Sequence, residues 1–173
     1  MPLTLDGTSG MTAPQGAVYN GLATANVQAS TSGTTIDFTG VPLWAKRITV
    51  IFNGVSLSGS DDLLVQIGSG SFTTSGYTSV SNQTDGGGAT TTGTSASGFT
   101  VKASNSGYTA TGSVVLILIT GTTWVSNHTV LNNSTRASYG GGSVALSGSL
   151  DRVRITTTGT NTFDAGTINV MYE

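Results

Sequence analysis

The sequence predicts an all-β protein, an antiparallel β-sandwich of jelly-roll-like character behind an irregular N-terminal arm, and three observations carry that prediction. Only 8% of the 173 residues are charged while 36% are apolar, so the polar surface must be built from Thr, Ser, Asn and Gly. Helical proteins coat their exposed faces with charged helix formers instead. Thr and Val recur and long Ala, Leu, Glu or Lys stretches are missing, which suits strands. Apolar residues alternate over short segments divided by glycine. The 25 glycines and 3 prolines stay below the roughly 25–30% of a chain that marks disorder, and so read as turns. A chain of this length forms one domain that buries about 70% of its unfolded surface.

Residues 1–33 read as an extended arm. Gly7, Gly10, Pro14, Gly16 and Gly21 interrupt any regular element. Leu3, Leu5, Met11, Val18, Leu22 and Val27 are too sparse to form a core, yet too many for a free linker, so the arm is expected to pack on something else. Residues 34–173 are expected to form the sandwich. In "TTIDFTGVP" Ile36 and Phe38 share a face and Pro42 closes the segment. In "KRITVIFNGVSL" Ile48, Val50 and Phe52 point inward, and Ile51 indicates that the other face is partly covered. Asn53-Gly54 fits a hairpin turn, but a bulge is preferred, because the strand then runs to Leu57, turns at "SGSDD" and matches the length of a hairpin partner, "LLVQIG".

Residues 69–98 read as long loops with one short strand near Tyr77–Val80. "GFTVKAS" is a strand, "GSVVLILIT" reads as a strand buried on both faces, and "TTWVSNHTVL" alternates again. "GSVALSGS" and "LDRVRITT" are joined or separated by Gly148, and "GTINVMYE" sets Ile168, Val170 and Tyr172 on one face. The spacing implies about eight to ten strands, with the final one paired inside a sheet. Arg152 and Arg154 alternate with Val153 and Ile155, so their guanidinium groups leave one side of the sheet, where Asp37, Asp151 and Asp164 are expected partners in ion pairs.

Little in the chain suggests chemistry. Without cysteine there is neither a disulfide framework nor a thiolate metal site. The first residues lack the basic and apolar regions of a secretory signal, and "VVLILI" is too short to cross a bilayer, so no membrane insertion is expected. A net charge of -2, with Lys46-Arg47 as the densest basic patch, gives no footprint for nucleic acid. His128 is the single histidine, on a face with Trp124 and Ser126, and is expected at a surface or half-buried strand position. No G-x-S-x-G elbow and no phosphate-binding loop occurs, and the acids show no spacing that demands a catalytic pair. Asp61-Asp62 reads as a polar turn ahead of a calcium site, and neither a metal nor a cofactor is expected.

The candidate binding residues are aromatic. Rings stack on the apolar faces of sugars while short polar side chains bond hydroxyls. Tyr77, Tyr108 and Tyr139 each lie beside Gly or Ser in loop-like context, and Asn82, Gln83 and Asp85 would supply the polar partners. The competing reading is that each tyrosine caps the core at a strand end. For any single tyrosine the core-capping reading is preferred, and only a cluster of them would shift the balance towards binding.

"IDFTGVPLWAKRITVIFNGVSLSGSDDLLVQIGSG" and "LDRVRITTTGTNTFDAGTINVMYE" resemble a module recurrent in tailed bacteriophages and prophages, found at the C-terminal end of tail fibres and in short phage structural proteins. "LTLDGTSGMTAPQG" resembles the repeated "DG-T-G-T-P-G" phrases of fibre shafts. The resemblance covers both ends of the domain well and the stretch from Ser71 to Tyr139 loosely. Its motifs are fold motifs and transfer no active site. It implies a non-catalytic virion protein, a tail-fibre tip or receptor-binding module, commonly a homotrimer, with residues 1–33 docking to other virion proteins or winding around a threefold axis. Long loops on a rigid sandwich would then bind host surface glycans, with weak sites adding through multivalency. A capsid decoration protein and a polysaccharide depolymerase are the alternatives.

Overall fold

Where the chain is extended, its side chains alternate between core and surface, and this alternation builds the two layers. The computed structural model describes residues 21–103 and 105–173, together with the backbone of Thr4–Asp6, Gly10–Thr12 and Val18–Tyr19. Those three short segments, β1, β2 and β3, form a small antiparallel sheet in that order. The strands that follow are β4 (Ala23–Thr24), β5 (Gln28–Ala29), β6 (Thr35–Thr39), β7 (Arg47–Leu57), β8 (Leu63–Ser69) and β9 (Ser71–Phe72). Next come β10 (Thr78–Asp85), β11 (Thr90–Ser95), β12 (Phe99–Val101), β13 (Ala110–Thr120) and β14 (Thr123–Asn132). The chain closes with β15 (Arg136–Ala145), β16 (Arg152–Thr157) and β17 (Phe163–Tyr172).

These strands form an unequal sandwich. A nine-stranded antiparallel sheet runs β11-β10-β15-β14-β13-β7-β17-β4, with β5 also on β17, and a five-stranded sheet runs β12-β8-β16-β6, with β9 on β8. Ile48, Val50, Phe52, Val114, Leu116, Trp124, Ile168 and Val170 of the large sheet meet Ile36, Phe38, Val65, Ile67, Val153 and Ile155 of the small one, and all are buried. Burying each such side chain stabilises the fold by about 1.5–3 kcal/mol. The final strand lies between β7 and the β4/β5 segment, with Ile168, Val170 and Tyr172 turned into the core as predicted.

The bulge at Asn53-Gly54 is present. Gly54 has φ 65°, β7 continues to Leu57, and the register with β17 shifts opposite Gly166, whose φ is 95°. A side chain at Gly166 would meet the Gly54 backbone as well as adopt a conformation that L residues rarely hold. Gly166→Ala is therefore expected to cost at least about 1–3 kcal/mol, read as a fall of several degrees in thermal unfolding temperature.

Several expectations need correction. β7 and β8 are not hairpin partners: they belong to different sheets, and Ser58–Asp62 carries the chain across the sandwich. Of the two readings at Gly148 the separating one holds, since β15 and β16 lie in opposite sheets. The "VVLILI" run is buried on one face only, because Val114 and Leu116 point inward while Ile117 and Ile119 are 44% and 61% exposed. Residues 69–98 are mostly strand, because β10 places Ser79, Ser81 and Gln83 in the core, and polar residues on the buried face mask the alternation. The strands accordingly outnumber the eight to ten expected. His128 is 5% exposed, not a surface position, though it shares its inward face with Trp124 and Ser126 as read.

Residues 23–30, assigned to the arm from sequence, add onto β17. Ala25 N donates to Val170 O at 2.8 Å, and Ser30 N to Gly166 O at 3.0 Å. The side chains of residues 1–20, on which most of the arm's proposed attachment role falls, lie outside the described residues. On the small sheet's outer face Arg154 binds Asp37 through two 2.7 Å hydrogen bonds, and Arg152 binds Asp151 at 2.7 and 3.1 Å. Both guanidinium groups lie over the Phe72 ring, at 5.6 Å for Arg152 and 4.0 Å for Arg154. The Arg152 hydrogen bond holds the Asp151 carboxyl below its ordinary range. The third predicted acid, Asp164, partners Ser56 Oγ instead of an arginine.

Candidate functional site

The outer face of β11, β10, β15 and β14 is an open strip of hydroxyls and scattered apolar side chains. Antiparallel register lines up Thr92, Asn82, Tyr139 and Thr129 in one row across these strands. The Tyr139 ring is 47% exposed at the centre of that row, and its hydroxyl lies 3.4 Å from Thr84 Oγ1. Thr92 Oγ1 donates to Asn82 Oδ1 at 2.7 Å beside it.

A hollow flanks the tyrosine on each side along the strands. One, of about 590 Å³, is bordered by Val80, Thr94, Ala96 and Gly141. Gly141 pairs with both Val80 and Asn127, so the missing side chain leaves a dip in an otherwise continuous surface. The other, of about 450 Å³, is bordered by Thr84, Leu131, Arg136 and Ala137. Val80 and Thr84 are four residues apart on β10, which at ~3.4 Å per residue separates the two hollows by about 14 Å. A short oligosaccharide fits such a span.

The six predicted binding residues divide into three groups. Asn82 and Tyr139 come together as direct cross-strand neighbours, on strands and not in loops. Asp85 and Tyr108 meet through Arg136 at one end of the sheet: the guanidinium lies 5.3 Å from the Tyr108 ring and 3.5 Å from Asp85 Oδ2. Asp85 is also a turn-former, since its Oδ1 accepts from Gly87 N at 3.0 Å and Ala89 N at 2.9 Å.

Tyr77 and Gln83 are corrections, because both are core residues. Tyr77 is 4% exposed, packs edge-on against Phe99 with centroids 5.0 Å apart, and its hydroxyl accepts from Ile67 N at 2.9 Å. Burial pushes its phenol up to about 12. Gln83 faces inward and donates to Lys102 O at 3.3 Å. Strand alternation across residues 78–84 is the signal that separates the outward Asn82 from the inward Gln83. It also marks Val80 and Thr84 as outward-facing, although neither carries a ring or stands in a loop.

Behind the strip lies a polar layer. β12 pairs with β8 on one side only, and side chains of the large sheet satisfy its other edge. Ser79 Oγ accepts from Thr100 N at 2.9 Å and Ser81 Oγ from Lys102 N at 3.0 Å. Asn132 Nδ2 and Ser138 Oγ donate to Lys102 O at 2.8 and 2.6 Å. Ser81 Oγ also lies 2.9 Å from His128 Nε2, and burial lowers the imidazole to about 4. This serine–histidine pair is sealed in the interior, and among the described residues no acid meets His128 Nδ1 as the orienting member of a triad would. The pair positions β12.

Asp61 Oδ2 accepts from Asn161 N at 2.9 Å, while Asp62 Oδ2 lies 3.1 Å from Lys102 Nζ. Among the described residues no three His, Cys, Asp or Glu side chains gather as metal ligands would. No family model, curated protein or solved structure matches the chain.

Proposed function

We propose that this chain is a structural protein of a bacteriophage particle, a tail-fibre or receptor-binding tip that adheres to host surface glycans without catalysis. The binding surface is the outer strip of the large sheet around Tyr139. The observation that carries this reading is a half-exposed ring set between two hollows, in a row of Thr92, Asn82 and Thr129 that carries no charge, the Arg136–Asp85 ion pair lying at the border of the far hollow. Such a surface offers an apolar platform for the face of a sugar and hydroxyl or amide partners at its rim, with little polar desolvation to overcome. The resemblance of residues 36–70 and 150–173 to phage fibre modules supports the virion assignment. Residues 1–33 would attach the chain to other virion proteins or join its copies into a trimer, and repetition of a weak site would then raise the overall affinity.

The test is binding of the purified full chain to a panel of bacterial surface polysaccharides. Tyr139→Ala is expected to weaken binding about tenfold or more, as loss of an aromatic anchor does, with an unchanged unfolding temperature. Tyr108→Ala should leave binding intact. The bound polysaccharide should keep its viscosity. Failure of the native chain to bind any polysaccharide, or equal binding by Tyr139→Ala, would overturn the reading.

A further inference from the structure

We propose that β11 is a pairing edge for a second copy of this chain, joining two large sheets into one through antiparallel β11–β11 contact. The inference rests on how the sheet edges are finished, and is independent of what the outer strip binds.

Of the four edges of the two sandwich sheets, two are closed by the chain itself and a third, β6, is capped at one point and carries the Asp37 charge. The β17 end of the large sheet is covered by Ala23–Thr24 and Gln28–Ala29, each too short to template another strand. The free edge of β12 is satisfied by Ser79, Ser81, Gln83, Asn132 and Ser138. At β6, Gln28 Nε2 donates to the Asp37 carbonyl at 2.8 Å. The fourth edge, β11, reads Thr90-Thr91-Thr92-Gly93-Thr94-Ser95, six exposed or half-exposed residues with no charge and no proline. Charges, prolines and bulges are the devices that keep strand edges from pairing, and β11 has none of the three.

The phase of the ladder shows which groups are open. Asp85 N donates to Ala89 O at 3.0 Å, so the bonded pairs with β10 fall on Thr91, Gly93 and Ser95. Thr90, Thr92 and Thr94 therefore turn their N–H and C=O groups to the open edge. Setting Thr92 opposite Thr92 of a second copy, about a twofold axis normal to the sheet, brings Thr90 opposite Thr94 on both sides. All three pairs are then of the bonded type, giving about six hydrogen bonds, two per pair. Threonine faces threonine across the junction, a favourable cross-strand combination with no like charges in opposition. The register keeps both outer strips on one side, so the paired copies present one continuous surface. Self-complementarity of this kind favours a second copy over a foreign strand.

Thr92→Pro removes the central outward donor, and proline is tolerated at an edge position whose N–H faces away from the sheet. Thr92→Lys keeps the backbone but sets two ammonium groups opposite each other. In light scattering with the full chain over a concentration series, the native particle should have about twice the mass of either variant, whatever residues 1–33 add. Thr92→Val should retain the native mass. Circular dichroism and unfolding temperature identify any variant that fails to fold, and Thr92→Lys then carries the test in place of Thr92→Pro. Equal masses for the native chain and a folded Thr92→Lys, including the case in which β11 takes a strand from a different protein, would overturn the proposal.

Discussion

Asp62→Ala is expected to destabilise the fold by about 3–5 kcal/mol, the cost of removing one member of a buried ion pair. Asp62 immediately precedes β8, the strand that pairs with β12, and its side chain is 12% exposed against 16% for Lys102. One carboxylate oxygen lies 3.1 Å from Lys102 Nζ, and the other accepts Ala103 N at 2.9 Å. Alanine removes the carboxylate that the ammonium faces and the acceptor of that backbone N–H together. Gly93 of β11 lets the pair in, since a side chain there would crowd both Asp62 and Lys102. Denaturant unfolding of Asp62→Ala checks the loss. Asp62→Leu combined with Lys102→Met should recover much of it, because the double change removes both charges and fills the space. A double variant as unstable as the sum of the singles would contradict this account.

Acid is expected to weaken the fold through His128. Its imidazole titrates at about 4 in the folded chain against an ordinary 6.5, because burial penalises the charged ring. The unfolded chain binds the proton more readily, so stability from the neutral ring is complete above about pH 6.5 and declines as pH falls towards 4. At 1.36 kcal/mol per pH unit, the full interval is worth about 3 kcal/mol, and about 2 kcal/mol is lost by pH 5. Urea unfolding at pH 7 and pH 5 measures the difference. His128→Gln should flatten it in that window, whatever its own stability, and an unchanged slope would assign the effect to other groups.

The sandwich was legible wherever one face of a strand is apolar. Ile48, Val50 and Phe52, or Ile168, Val170 and Tyr172, announce an inward face by alternation alone. Only the start of β10 was legible, as the short strand near Tyr77–Val80, because its inward Ser79, Ser81 and Gln83 serve the open edge of β12 instead of filling an apolar core. Partnership across the chain was hidden for a related reason. A tight turn such as "SGSDD" suits a hairpin and a crossing between sheets equally, and only packing decides. At the candidate site the sequence singled out Tyr139 and Asn82, which lie side by side on neighbouring strands, whereas it had placed them in loops. It therefore grouped Tyr77, whose hydroxyl satisfies the Ile67 backbone in the interior, with residues that face outward.

Chemical-shift mapping on the full chain with a bound polysaccharide tests the adhesion surface most directly. The largest changes are expected at Val80, Asn82, Thr92 and Tyr139 on the outer strip, fading towards the Asn105–Tyr108 turn. Changes confined to that turn or to the Ser58–Asp62 crossing, with the strip unmoved, would contradict it.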